Sequence, residues 1–306
     1  MDLPDTVESS LAGTSAVAEL VEERPTEQII SLYKSKYNID ISPYFSGVEK
    51  LGIYRCKSTG VKFYYPRDIV GDAAFYGQLE RRIPGYYDEA KWEHQRALDW
   101  IAAGDRVLDI GCGRGAFLAK AAEARGAQVT GLESNGVAAK HAEARGIEII
   151  DEFIDAHAAS HPEYYDVVTA FQVLEHVPRP RGFLQACRAA AKKRGLLIIG
   201  VPNDDAFVGM SKEAVLNGPP HHLSLWNRES LTAVADEFDL ELLNIDIEPL
   251  NHPAWCQAEI EARYVPKGWR RSLWYRLGGA DILRRYLEEN ARSIAGHTIM
   301  ATYRKA

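Results

Sequence analysis

The sequence contains few cysteines, and none of them lie in a short paired motif. The four present, Cys56, Cys112, Cys187 and Cys256, are far apart, with no C-x-x-C pair. This spacing argues against a zinc cage or a disulfide framework and favours reduced thiols. The sequence also lacks a secretory signal and any apolar run near the roughly 18 residues that a membrane span needs. These absences predict a cytoplasmic protein without a transmembrane segment.

An excess of basic charge is also missing. The formal net charge of the 306 residues is −7, which argues against a nucleic-acid partner, because such proteins carry a basic stripe. The chain shows no internal repeat and no low-complexity block. Its length suffices for one large domain and a smaller one, and its composition is that of an ordinary globular protein.

The strongest pattern in the sequence is V-L-D-I-G-C-G-R-G over residues 107–115. Its branched and bulky apolar residues predict a short strand buried on both faces. Glycines at alternate positions then allow a tight turn and a close approach of a ligand to the backbone. Good helix formers follow from Ala116. This unit opens a doubly wound α/β domain, whose ligand crevice lies at the carboxyl end of the strand.

The glycine spacing distinguishes between nucleotide-like ligands. Dinucleotide sites use G-x-G-x-x-G, whereas this chain has G-x-G-x-G with Asp109 two residues before the first glycine. An acid there opposes a pyrophosphate but suits an ammonium and a sulfonium. The segment resembles the first motif, D-x-G-x-G-x-G, of class I S-adenosylmethionine-dependent methyltransferases. The resemblance implies a seven-stranded Rossmann-like sheet that binds S-adenosylmethionine and releases S-adenosylhomocysteine. Its loop contacts would be Asp109, Gly111, Cys112, Gly113 and Gly115.

Two further strand ends complete the cofactor site that this resemblance implies. The second strand ends at Glu133, about twenty residues past the glycines, where a carboxylate can accept both ribose hydroxyls. Ser134 follows it directly. Residues 151–154 follow the third strand, where an adenine would be flanked, and Phe153 is the expected contact.

The segment F-Q-V-L-E-H-V over residues 171–177 follows the predicted fourth strand. It resembles the segment that passes the cofactor sulfur in ubiquinone-type and sugar O-methyltransferases. Phe171, Gln172 and His176 are therefore expected to contact the cofactor. In the quinone branch, the pair corresponding to Glu175 and His176 has been linked to a divalent metal. Capping and orienting the loop is the preferred interpretation here, and no metal site is predicted.

Two adjacent histidines, His221 and His222, follow a stiff Gly-Pro-Pro sequence near the place where an acceptor would meet the methyl group. A histidine can accept a proton near neutral pH, so one of the two is predicted to be the general base. Neighbouring side chains of an extended loop point to opposite sides, so only one should reach the acceptor. A pair of structural histidines is the alternative.

The chain divides into three parts in this interpretation. Residues 1–27, rich in small and acidic side chains, are expected to form a mobile tail. Residues 28–85 form an accessory region with a hairpin, and residues 86–306 form the methyltransferase domain. A helical insertion is expected at about 253–295, between the sixth and seventh strands. Tyr87 either packs over the sheet edge or closes over the methionine end of the cofactor, and both interpretations remain open.

The predicted function is methyl transfer from S-adenosylmethionine to a hydroxyl of a saccharide intermediate. A quinone or phenol acceptor is the alternative within methyltransferases. Two alternatives lie outside the methyltransferases. One is a nicotinamide dehydrogenase, and the other is a non-catalytic scaffold subunit that binds the cofactor. The insertion carries aromatic residues and arginines, which suggests a lid for an anionic saccharide, a dimer contact or a scaffold. A homo-oligomer is therefore left open.

Overall fold

The structure, a computed structural model, describes residues 3–13, 16–83, 91–210 and 215–306. The described strands are β1 (Thr6–Glu8), β2 (Val17–Pro25), β3 (Lys50–Cys56), β4 (Lys62–Tyr65), β5 (Arg106–Ile110), β6 (Gln128–Leu132), β7 (Glu148–Ile150), β8 (Tyr165–Phe171), β9 (Ala191–Pro202), β10 (Ser224–Leu225), β11 (Leu240–Pro249) and β12 (Ala295–Lys305).

Helices lie between most of these strands. Those described are α1 (Thr26–Tyr37), α2 (Ala73–Arg82), α3 (Trp92–Ala97), α4 (Ala116–Arg125), α5 (Gly136–Glu143), α6 (Ile154–Ser160), α7 (Pro180–Ala190), α8 (Phe207–Met210), α9 (Arg228–Phe238), α10 (Pro253–Tyr264), α11 (Trp269–Arg276) and α12 (Gly279–Glu289). None of them is both long and apolar enough to cross a membrane.

The larger sheet has seven strands in the order β11-β12-β9-β8-β5-β6-β7. Strands β5 to β9 pair in parallel, whereas β12 is antiparallel to both of its neighbours. The order reverses at β5, so the ends of β5 and β8 open the crevice where such sheets bind ligands. The predicted doubly wound, seven-stranded α/β fold is confirmed.

A second sheet of five strands, here called the accessory sheet, has the order β1-β2-β3-β4-β10 and combines strands from within residues 28–85 with strands from before and after them. The predicted hairpin is present as β3 and β4, with Tyr54 opposite Phe63. Its last strand, β10, comes from the segment just after the two adjacent histidines, and Ser224 pairs with Phe63. The accessory sheet therefore holds the histidine segment by backbone hydrogen bonds. The predicted domain boundary at residue 85 does not anticipate this pairing.

The expected mobile tail over residues 1–27 is wrong for its described residues. Strand β2 pairs with β3 along its length, from Ala18 opposite Cys56 to Pro25 opposite Lys50. Leu11 and Ala18 are fully buried in the core beside Tyr54. The acidic composition concealed a strand in which Ala18 is buried while Glu19 and Glu23 are exposed.

Candidate functional site

The glycine loop leaves β5 at Gly111 and enters α4 at Gly115, which is its N-cap. Both glycines have positive φ, 65° and 73°. A Cβ on Gly111 would lie 2.7 Å from Cγ2 of Val173, and one on Gly115 would lie 2.9 Å from Cβ of Ala142. Any side chain would therefore strain the backbone and clash with its neighbours. Gly111 also brings the glycine loop directly against the segment that follows β8.

A cavity of about 690 Å³ opens beside this loop. One end is lined by the glycine loop and by Asp109, and the other by Glu175 and the histidine segment. Nine of the predicted site residues lie in its wall. They are Asp109, Gly111, Cys112, Gly113, Phe171, Gln172, His176, His221 and His222.

Asp109 is the buried acid of the glycine-loop end. It is 3% exposed, and its Oδ1 accepts a hydrogen bond of 2.7 Å from the Thr169 hydroxyl. Burial raises the pKa of Asp109 to about 7, against the opposing effects of Thr169 and of the nearby Lys91 cation. A cationic ligand in the cavity would favour the ionised carboxylate.

Glu133 fastens the loop from the end of β6. Its Oε2 accepts a hydrogen bond of 2.8 Å from the Gly113 amide, and its Oε1 accepts one of 2.7 Å from the Asn135 amide. Each carboxylate oxygen keeps a second lone pair for a ligand hydroxyl. Gly115 lies buried at the start of α4, and Ser134 is exposed beside Glu133. Phe153, after β7, is 77% exposed, and Tyr87 lies outside the described residues.

Gln172 follows β8 and lines the cavity. Its backbone is in the left-handed region, with φ of 57°, and its amide donates to the carbonyl of Gly200 at 2.8 Å. The side-chain Nε2 donates to Oε1 of Glu93 at 3.1 Å. Glu93 is itself buried and lines the cavity. Sequence reasoning missed Glu93, because an acid in a helix of mixed composition gives no signal of burial.

The two adjacent histidines lie together in the wall, and the expectation that they point to opposite sides is wrong. Their imidazole rings stack with centroids 4.4 Å apart and an interplanar angle of 20°. The segment is a tight turn rather than an extended loop, since both amides donate to the carbonyl of Gly218. Burial is the largest cause that lowers the pKa values of His221 and His222 well below the usual 6.5. Both rings are therefore neutral near pH 7.

His176 joins these two rings from the segment after β8. Its ring centroid lies 4.6 Å from that of His221 and 4.8 Å from that of His222. Burial lowers its pKa to about 4. Glu175, beside it, is 1% exposed, and burial raises the pKa of its carboxyl to about 8. His221 and His222 are neutral and line the cavity, as a general base would. Which of them accepts a proton stays a prediction.

The accessory region and the insertion also contribute to this end. Lys36 and Tyr37 of α1 line the cavity, as do Trp255 and Glu259 of α10. Tyr76 of α2 places its hydroxyl 3.3 Å from Nδ1 of His176. None of these was predicted, because their segments carry no motif and approach the site only through the tertiary fold.

Comparison with known proteins agrees with this geometry. A methyltransferase domain family model matches residues 82–245. The chain is 33% identical over 195 residues to a ubiquinone biosynthesis O-methyltransferase of Stutzerimonas stutzeri, covering 55% of this chain and 82% of that protein. It is 39% identical over 135 residues to the protein of the same name from Azoarcus sp., covering 39% of this chain and 58% of that protein.

A solved structure, described as a SAM dependent methyltransferase from Archaeoglobus fulgidus, shares the fold. It matches with a TM-score of 0.53 and 19% identity, over 76% of this chain and 100% of that chain. The matched family model spans more than half of the sequence and includes both the glycine loop and the histidine turn. The chain belongs to the class I S-adenosylmethionine-dependent methyltransferases.

Proposed function

We propose that this methyltransferase transfers the methyl group of S-adenosylmethionine to a hydroxyl oxygen of a small phenol- or quinol-type acceptor. The assignment to methyl transfer rests on one cavity, whose wall includes both the glycine loop and the histidine turn. The acceptor class is supported by the relatives, whose names describe O-methyl transfer in ubiquinone biosynthesis.

The glycine-loop end fits the cofactor. S-adenosylmethionine, when bound, supplies an activated methyl group on a sulfonium. Asp109 offers a buried carboxylate to a cationic group, and Glu133 offers free lone pairs to ribose hydroxyls. Gly111 and Gly113 present backbone without side chains of their own to the cavity. Ser134 and Phe153, both exposed, remain proposed contacts of the adenosine part.

The histidine end suits the acceptor. Neutral imidazoles, a buried carboxyl and the aromatic side chains of Tyr37 and Trp255 line the same volume. Aromatic walls favour a flat apolar ring, and polar groups set inside them orient its hydroxyls. The protein then has to align the acceptor oxygen, exclude water and remove one proton.

The relatives described above are named for ubiquinone biosynthesis, so their names favour the quinone or phenol alternative over the saccharide acceptor predicted from the sequence. The insertion was the sequence feature that favoured an anionic saccharide, through its aromatic residues and arginines. In the structure, α11 has no buried residue, and the insertion residues in the cavity wall come from the start of α10. We therefore place a phenolic hydroxyl ahead of a sugar hydroxyl.

The test is a methyl-transfer assay on the purified protein with S-adenosylmethionine and two panels of acceptors. One panel contains catechols such as 3,4-dihydroxybenzoate, and the other contains nucleotide sugars and free saccharides. We expect S-adenosylhomocysteine to form only with the first panel. Turnover with the sugars alone would restore the saccharide assignment. Binding of S-adenosylhomocysteine without turnover on either panel would favour the non-catalytic scaffold.

A further inference from the structure

His222 has a side chain, rather than the backbone, as the partner of its Nδ1. This nitrogen lies 3.1 Å from Oδ1 of Asn217. Nδ1 of His221, by contrast, lies 2.8 Å from the backbone carbonyl oxygen of Leu216. An amide oxygen can only accept a hydrogen bond, so Nδ1 of His222 carries the proton and Nε2 carries the lone pair. The tautomer of His222 therefore depends on which side chain stands at position 217.

The lone pair of His222 lies on the cavity side of the ring. Nε2 is 4.0 Å from Oε1 of Glu175, which lines the cavity together with His222 and Asn217. Burial lowers the pKa of His222 well below 6.5, so the ring is neutral near pH 7. A neutral ring with a fixed lone pair is what a general base requires, and such a base is commonly oriented by a third group.

Asn217 is itself held by a strand of the accessory sheet. It ends the short 3-10 helix Val215–Asn217, and its carbonyl accepts a hydrogen bond of 2.8 Å from the hydroxyl of Tyr64 in β4. Tyr64 is buried, and Nη1 of Arg24 donates to its hydroxyl oxygen at 3.4 Å. Nε of Arg24 donates in turn to Oε1 of Glu22 at 3.0 Å. Tyr64, 153 residues away in the sequence, therefore fixes the residue that orients the ring.

Backbone hydrogen bonds align the same two segments. The amide of Tyr64 donates to the carbonyl of Leu223 at 2.9 Å, and the amide of Gly71 donates to that of Pro220 at 2.8 Å. A Cβ on Gly218 would lie 3.2 Å from the Tyr64 hydroxyl oxygen, so the chain packs closely against this side chain. These contacts fix the path of the chain on both sides of His222.

We propose that Asn217 and Tyr64 are positioning residues for methyl transfer, which hold His222 as the Nδ1–H tautomer so that its Nε2 accepts the proton of the acceptor hydroxyl. Asn217 acts through its hydrogen bond to the ring, and Tyr64 acts through Asn217. The hydroxyl proton passes to Nε2 as the acceptor oxygen bonds to the methyl carbon and the carbon–sulfur bond breaks. The ring becomes an imidazolium, which strengthens the hydrogen bond from Nδ1 to Asn217.

This inference rests on the proposed function in taking a hydroxyl as the reacting group. It goes beyond that function in assigning the base to His222 and in giving the accessory sheet a part in the reaction. The first test therefore needs no acceptor, because it measures the tautomer of His222 directly.

The tautomer is measured on the full chain with nitrogen-labelled histidine, by long-range proton–nitrogen correlation NMR of the imidazoles, and His222→Ala identifies the His222 signals. We expect a protonated Nδ1 and an unprotonated Nε2 in the wild type, and loss of this pattern in Asn217→Leu. Asn217→Asp keeps an oxygen acceptor and should keep Nδ1 protonated. Tyr64→Phe should shift the pattern in part. Tyr54→Phe is its matched control and should leave the pattern unchanged, because this buried hydroxyl in β3 donates to the carbonyl of Pro4.

Turnover with the acceptor found in the methyl-transfer assay is the second readout. Asn217→Leu should lower kcat by about tenfold or more while the KM for the acceptor stays near the wild-type value, because fewer rings present a free Nε2. Asn217→Asp should recover most of this loss. Tyr64→Phe should lower kcat by about two- to tenfold, the range of one neutral hydrogen bond, and Tyr54→Phe should not.

Titration of each variant with S-adenosylhomocysteine shows that it is folded. An Nε2–H tautomer of His222 in the wild type would overturn the proposal, as would the wild-type tautomer in folded Asn217→Leu or equal losses of kcat in Asn217→Leu and Asn217→Asp. If Asn217→Leu does not fold, Tyr64→Phe and Tyr54→Phe decide, and identical His222 signals in these two would overturn it. The tautomer is measured even if no acceptor turns over, so failure of the proposed function is distinguished from failure of this inference.

Discussion

The two ends of the cavity differ in how the sequence encodes them. The glycine-loop end comes from one continuous stretch, residues 109–115, with Glu133 from the next strand. The histidine end is assembled from two segments of the central domain, the first helix of the accessory region and the first helix of the insertion. The residues of the first end are nearly continuous in the sequence and carry a motif, whereas those of the second come from separate segments of which only two carry one.

The two ends also differ in charge. At the glycine-loop end, the carboxyl of Asp109 lines the cavity, and the carboxyl of Glu133 accepts a hydrogen bond from the loop amide of Gly113. At the histidine end, burial favours neutral imidazoles and a protonated Glu175. This difference predicts that changes at one end alter cofactor affinity, and that changes at the other alter methyl transfer.

The largest effect is expected from removing Tyr264–Glu289 and joining the ends with a short linker. Methyl transfer should be abolished while S-adenosylhomocysteine still binds, because α10 loses its packing against α12. That packing includes Cys256 and Leu287, and Trp255 of the same helix lines the cavity. Turnover and calorimetry measure the two properties. Trp269→Ala, on the exposed face of α11, is the control and should change neither. Retained transfer would reduce the insertion to a scaffold.

The second effect is expected from His222→Ala. Transfer should fall by about 10²–10⁴-fold, the range of a lost proton acceptor. Single-turnover rates at saturating cofactor measure the change. His141→Ala provides the surface control. Wild-type rates in both His222→Ala and His221→Ala would remove the histidine turn from the reaction.

A pH dependence of cofactor binding should follow from Asp109. Because the pKa of this buried carboxyl is about 7, it is protonated in the cofactor-free protein at lower pH and no longer attracts a cation. Affinity for S-adenosylhomocysteine should fall by up to about tenfold per pH unit below pH 7. Asp109→Asn should bind weakly and without this slope. Parallel slopes in the two proteins would assign the dependence to another group.

The carboxyl of Asp109 also affects the free energy of unfolding of the cofactor-free protein. This contribution increases as pH falls, whereas the cofactor affinity decreases. The folded state holds a proton between pH 4 and 7 that the unfolded state releases, so this group's contribution to the free energy of unfolding rises as pH falls. Asp109→Asn should remove an ionisation penalty of at most about 4 kcal/mol at pH 8, and none at pH 4. Denaturant unfolding of both cofactor-free proteins at the two pH values measures it.

The smallest effect is expected from Glu133→Ala. Loss of the ionised acceptor should weaken S-adenosylhomocysteine binding by about tenfold or more, at roughly 1.5–3 kcal/mol per charged hydrogen bond. The Gly113 amide loses its partner at the same time. Glu133→Gln is the matched variant, since it keeps a carbonyl acceptor without the charge, and it should bind with intermediate affinity. Unchanged calorimetry in Glu133→Ala would remove the ribose role.

Much of the fold could be predicted, because its signals are local. The glycine turn after Ile110, the strand end at Glu133 and the L-E-H-V segment each combine a strand with the residues that follow it. The prediction was wrong where a segment is stabilised only by distant contacts. Strand β2 was mistaken for a tail because its outward face carries glutamates, although Ala18 pairs opposite Cys56 in a buried sheet.

The candidate site shows the same limit. Adjacent histidines were expected to diverge, but hydrogen bonds of both amides to the Gly218 carbonyl turn the two rings to one side. The convergence of His176 with them depends on the parallel pairing of β8 and β9 and on the pairing of β10 with the accessory sheet. No periodicity or spacing reports such contacts, so the three-histidine cluster was not predicted.

The most direct test of the division between the two ends is one paired measurement on Glu133→Ala and His222→Ala. In the same preparations, calorimetry gives the affinity for S-adenosylhomocysteine, and a single-turnover experiment gives the rate of methyl transfer at saturating cofactor. We expect Glu133→Ala to lose about tenfold or more in affinity with a rate near that of the wild type, and His222→Ala to lose about 10²-fold or more in rate with its affinity unchanged. Parallel losses of affinity and rate in both variants would contradict the division.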